Sequence, residues 1–119
     1  MNRINLDLNG FTGGAVYRHP LFTRCAISEG GAYLCERGCA WLIDVILSWQ
    51  GSPRVSAEDF QKWKIRAFRN SAIVSATDGN GGALVAQRIP STDFPVERLT
   101  LWAVRNELGG VTVMLPSEY

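Results

Sequence analysis

Between residues 39 and 49 the apolar side chains recur at helical spacing: Trp41, Leu42, Val45, Ile46 and Trp49 fall at i, i+1, i+4, i+5 and i+8, and Ile43 and Leu47 widen the stripe. This predicts a helix over Cys39 to Trp49, apolar almost all round and therefore central, ended by Gln50-Gly51-Ser52-Pro53. Upstream, Leu6, Leu8 and Phe11 lead through Gly13-Gly14 to His19-Pro20, where the residue before proline avoids the helical region. Leu21 to Ile27 then predicts a short strand, Glu29-Gly30-Gly31 a turn, and Ala32 to Arg37 a short helix stopped at Gly38. Pro53 to Ser56 reads as a loop.

From Phe60 onward the period falls towards two. Phe60 to Phe68, Ala72 to Ala76, Ala83 to Ile89, Leu99 to Val104 and Val111 to Leu115 are β-branched or aromatic runs. They are separated by Arg69-Asn70-Ser71, the glycine-rich Asp78 to Gly82, a longer link through Pro95, and Glu107 to Gly110. The expected fold is α+β: an antiparallel meander of about five strands packed against one apolar helix, with a short strand and helix before it. Val111 to Leu115 carries no charge and reads as a sheet edge able to pair with its copy, so a homodimer is one expectation.

Length adds one bound. At 119 residues, 46% hydrophobic and 19% charged, residues 1–119 form a single globular domain with no room for a second. The first residues lack the apolar core of a signal peptide, and no run approaches a membrane span. Three cysteines, Cys25, Cys35 and Cys39, fit reduced thiols rather than a disulfide framework, which points to a cytoplasmic setting.

Charge changes the picture little at this level. The net charge is +1 and the basic residues are scattered, except that Lys62, Lys64 and Arg66 alternate along one strand and so share a face. Such a row can meet phosphates, yet it is more often the solvated side of a sheet, and nucleic acid is not the favoured partner.

Candidate chemistry is thin. Cys25, Cys35, Cys39 and the single histidine, His19, supply four possible zinc ligands, but Cys35 and Cys39 straddle Gly38 instead of forming a Cys-x-x-Cys knuckle. Neither a metal nor a cofactor is expected. A histidine base would have to be His19, in a loop beside Tyr17 and Arg18. Asp44 interrupts the apolar helix and is expected to be partly buried, as a tether to a loop or, in an alternative reading, as the centre of a small ligand or catalytic site with Arg18 and His19. The glycines after Asp78 lack the lysine and following helix of a phosphate loop. Of four tryptophans, Trp49 at the helix end and Trp63 in the basic strand are candidate surface anchors.

Several segments taken together resemble a family of small uncharacterised bacterial proteins associated with phages and plasmids: Leu8-Asn9-Gly10-Phe11-Thr12-Gly13, Tyr17-Arg18-His19, Trp41-Leu42-Ile43-Asp44, Phe60-Gln61-Lys62-Trp63-Lys64, Thr92-Asp93-Phe94-Pro95 and Leu115-Pro116-Ser117-Glu118-Tyr119. The chain departs from that family at Phe22-Thr23-Arg24-Cys25, where a Tyr-Thr-Asp-Gly-like turn is usual. The resemblance carries no catalytic motif. Its setting in mobile elements implies a non-enzymatic protein that binds a host protein or complex, for example an inhibitor of a defence assembly of the anti-CRISPR kind acting on a Cas effector. The residues expected to meet such a partner are Tyr17, Arg18, His19, Trp49, Trp63, Lys62, Lys64, Arg66, Glu118 and Tyr119.

Overall fold

The computed structural model describes residues 6–119. The polar start that argued against a signal peptide, Met1 to Asn5, lies outside the described residues. No helix among the described residues is long and apolar enough to cross a membrane.

The chain is an α+β fold in which a seven-stranded, mostly antiparallel sheet carries one helical layer. The strands are β1 (Val16–Arg18), β2 (Ala26–Ser28), β3 (Phe60–Phe68), β4 (Ser71–Asp78), β5 (Ala83–Ile89), β6 (Arg98–Arg105) and β7 (Val111–Met114), in the spatial order β1-β2-β7-β6-β3-β4-β5. Only β3, β4 and β5 follow one another as a meander. The next strand, β6, returns to the free side of β3, which makes β6-β3-β4-β5 a Greek-key order. The link between β5 and β6 is too long for a hairpin, and it has an anchor of its own. Phe94 is buried against Trp41 at 6.0 Å, and the Thr92 amide donates to Asn70 O.

That return decides the place of β7. It pairs with β6 antiparallel and with β2 in parallel, so Val111 to Leu115 is an inner strand and not a free edge. The reading of this segment as a free sheet edge is therefore corrected: its backbone pairs with β2 on one side and β6 on the other. The true edges are β1 and β5.

The helical layer begins earlier than the sequence suggests. Ser28 caps α1 (Glu29–Leu34), its hydroxyl accepting from the Gly31 amide at 3.1 Å, so Glu29-Gly30-Gly31 is a first helical turn rather than a loop. The glycines serve contact: a side chain on Gly30 would collide with the Glu118 carboxylate and Leu115. The helix breaks, as expected, at Gly38, whose φ of +86° is one that glycine adopts without strain. Then α2 (Ala40–Ser48) runs into a 3-10 turn (Trp49–Gly51), and Pro53 opens a short α3 (Pro53–Ser56) where a loop was expected, because its fixed φ suits a first helical position.

The core lies between this layer and one face of the sheet. Leu34, Leu42, Ile43, Ile46 and Leu47 meet Trp63, Ile65, Val74, Leu101, Ala103 and Val113, all at most 2% exposed. With a single helical layer, no second layer covers the far side of α2 among the described residues, and Asp44 and Ser48 are exposed there. The expected strand Leu21 to Ile27 is likewise shortened to Ala26–Ser28: Phe22 to Cys25 close a turn, the Cys25 amide donating to Phe22 O at 2.8 Å.

Candidate functional site

The structure brings His19 and Asp44 together but leaves them no free chemistry. Asp44 has a side chain 56% exposed, so its expected burial is wrong: it sits on the uncovered side of α2. His19 Nε2 lies 3.1 Å from Asp44 Oδ1, while Nδ1 accepts from the amides of Leu21 and Phe22, both at 3.1 Å. Two amides aimed at Nδ1 make it the unprotonated nitrogen, so Nε2–H donates to Asp44. Both ring nitrogens are thus spent in holding the Leu21–Cys25 turn against α2. Arg18 bonds to neither of them among the described residues and donates to Thr23 O at 3.0 Å.

The thiols are equally unpromising as ligands or nucleophiles. All three cysteines are free, and burial pushes the Cys35 thiol above its ordinary pKa, helped by the nearby Asp44 and Glu36 charges. Burial does the same for Cys39, followed by the charge of Asp93. A thiol held neutral is a poor nucleophile and a poor zinc ligand. Among the described residues no three His, Cys, Asp or Glu side chains gather at one point. An open hollow of about 450 Å³ between Phe22 and Gly110 contains Arg24 and Cys25 but no carboxylate or histidine, so it holds no acid–base pair.

Several expected contact residues are committed to the interior. Trp63 is 1% exposed and donates to Gln61 Oε1 at 3.0 Å; it is core, because its strand position faces the helices. Trp49 is half-buried, its Nε1 donating to Gln87 Oε1 at 2.7 Å, which ties the end of α2 to β5. Glu118 is a clamp: Oε1 accepts from Ser28 Oγ at 2.6 Å and Leu115 N at 2.9 Å, and Oε2 from Gly30 N at 3.0 Å. Trp63 is thereby a correction to the expected partner surface, while Trp49, Glu118 and His19 are partly buried with polar atoms bonded within the fold. Tyr17 is exposed, on edge strand β1.

The remaining expected residues converge on the sheet face that no helix covers. Strand register sets its rows. Arg66 stands opposite Arg98 on β6 and Ile73 on β4, and Ile73 stands opposite Arg88 on β5. Lys64 lies between Thr100 and Ser75, and Lys62 between Trp102 and Thr77. Above them Tyr119 packs edge-on to Trp102 at 5.3 Å and to Phe60 at 6.3 Å. At the other end, Phe68 is 73% exposed, with the Arg69 guanidinium 5.5 Å from its ring centre.

This face carries five cations and no carboxylate on β3, β4, β5 or β6. None of the five forms an ion pair among the described residues, and Arg66 faces Arg98 directly. Like charges opposite one another on a sheet weaken it, so the row is held at some cost in stability. Elsewhere arginines have partners: Arg105 binds Asp59 at 2.5 Å and Arg54 donates to Ala83 O at 2.8 Å. Sequence reasoning missed Arg88, Arg98 and Trp102 as members of this face. The parity of Arg98-Thr100-Trp102 against Leu99-Leu101-Ala103 was legible, but the pairing of β6 with β3 was not.

Fold and face together define a class: a small α+β protein with one helical layer, an open basic and aromatic sheet face, and no assembled catalytic group among the described residues. More particularly, the chain belongs to DUF6876, a family of unknown function whose model matches residues 2–119. No curated protein and no solved structure matches it.

Proposed function

We propose that the protein is a non-enzymatic binding protein and that its open sheet face is the binding surface. One observation carries this reading: the five unpaired cations of the face, gathered from β3, β5 and β6 without a counter-charge, while the titratable groups of the His19–Asp44 and Glu118 contacts are spent internally. An idle solvated face mixes signs, and a row of one sign attracts a partner of the other. The free thiols suit a reducing compartment such as the cytoplasm. A host protein complex, such as a defence assembly from a mobile-element setting, is one partner class. It would have to offer an acidic surface, because Cas-type guide channels are themselves basic.

The test is a pull-down from the native host with wild type and with the triple variant Lys64→Glu, Arg66→Glu, Arg98→Glu. A partner kept by the wild type and by Tyr17→Ala, but lost by the triple variant, supports the face. A partner indifferent to the triple variant and lost with Tyr17→Ala moves the surface to the β1 edge and ends this reading.

A further inference from the structure

We propose that the open face binds single-stranded nucleic acid, its cations meeting phosphates and its end rings, Tyr119 and Phe68, stacking on unpaired bases. This rests on the reading of that face as the binding surface and names its occupant. Charge complementarity is the first ground: the charged strand side chains of the face are all cations over a patch about 14 Å wide, across four strands, and phosphates are the densest repeating anions a partner can offer.

Exposed rings are the second ground. Tyr119 is 76% and Phe68 73% exposed, at opposite ends of β3, and eight residue steps along that strand put them about 26 Å apart. That span suits a few nucleotides of an extended strand. Rings at both ends of a basic sheet serve splayed bases, which a duplex does not present, since its bases are stacked on one another.

An orphaned donor is the third. Trp102 Nε1 is buried under its aromatic neighbours with no acceptor among the described residues, at a position directly opposite Lys62. A buried N–H without a partner is unfavourable. Tyr119, largely exposed, is what lies over Trp102 together with Phe60. When Tyr119 turns out to stack on a base, the indole N–H is opened to a phosphate or base oxygen beside the Lys62 ammonium.

Fluorescence anisotropy with labelled oligo(dT) and oligo(U) of about a dozen nucleotides tests this, beside a duplex of equal length. Five neutralised phosphates predict a log–log salt slope of about −3.5, at roughly 0.7 per phosphate, and the pair Arg66→Gln with Arg98→Gln should lower its magnitude by about 1.4. Tyr119→Ala should weaken binding about tenfold with the slope unchanged, because stacking is not ionic. The duplex should bind at least about tenfold more weakly. A preference between the two oligonucleotides distinguishes DNA from RNA within the proposal. Equal affinity for the duplex, or an effect of Tyr119→Ala on neither probe, overturns base stacking and with it the single-strand assignment. Absence of binding at low salt overturns the inference outright; if the face-dependent host partner is still captured after nuclease treatment, the binding-face reading stands without it.

Discussion

Gln50 and Gln61 exchange two hydrogen bonds of 2.8 Å, each amide donating to the other's carbonyl oxygen. Gln61 is fully buried, and its remaining capacity is also used: Nε2 donates to Val55 O at 3.1 Å and Oε1 accepts from Trp63 Nε1. This polar knot joins the end of the helical layer to the start of β3, inside an apolar surrounding where each unmet group is costly. Gln61→Leu should therefore destabilise the protein by about 2–4 kcal/mol, since it orphans the Trp63 N–H. Gln50→Leu should cost only about 1 kcal/mol, because Gln61 keeps its bonds to Trp63 and Val55. Urea unfolding midpoints of the two variants, compared at equal slope, give the measurement; equal losses would mean that the knot is not centred on Gln61.

The His19–Asp44 contact should prove to be a lock on a turn. His19→Ala removes the acceptor of two amides and should cost about 1–3 kcal/mol, with faster hydrogen exchange at Leu21 and Phe22. Asp44→Asn, at an exposed site, should change stability by less than about 1 kcal/mol and leave those amides protected. Native protection in Asp44→Asn combined with loss of partner binding would instead assign Asp44 to function.

The thiols give stability a definite pH dependence. Cys35 and Cys39 have their pKa values raised in the folded state, by burial first and neighbouring carboxylates second. In the unfolded chain they ionise near the ordinary thiol value of 9.0, where the folded protein still holds its protons. The unfolded state then binds fewer protons, so stability is unaffected by these groups below that value and falls as pH rises through and beyond it. The double variant Cys35→Ala, Cys39→Ala should flatten the alkaline limb of a thermal melt series, and both thiols should react slowly with iodoacetamide near neutral pH.

The basic row should trade stability for binding. Replacing Arg66 with Glu converts its contact with Arg98 from repulsive to attractive, a gain of about 0.2–1 kcal/mol for an opposed pair. A raised melting temperature with weakened partner binding is the expected combination. A lowered melting temperature would show that Arg66 and Arg98 do not oppose one another in solution.

Local signals along the chain determined its longer elements, though not β1, the first turn of α1 or α3. The helical period located α2, Gly38 marked the break before it, and the period of two marked β3 and β5 to the residue. Alternation also placed Lys62, Lys64 and Arg66 on one face, because side-chain direction in a strand is a matter of parity. What the sequence could not hold was any relation made by long-range pairing. The return of β6 to β3 put Arg98 beside Arg66 and carried β7 into the middle of the sheet. The single helical layer exposed Asp44, and by laying the helices on the face opposite Lys62 and Lys64 it made Trp63 core, its N–H capped by Gln61. Periodicity reports which side of its own element a residue takes; which element lies on that side, and whether any does, is settled only when the strands pair and the layer is laid down.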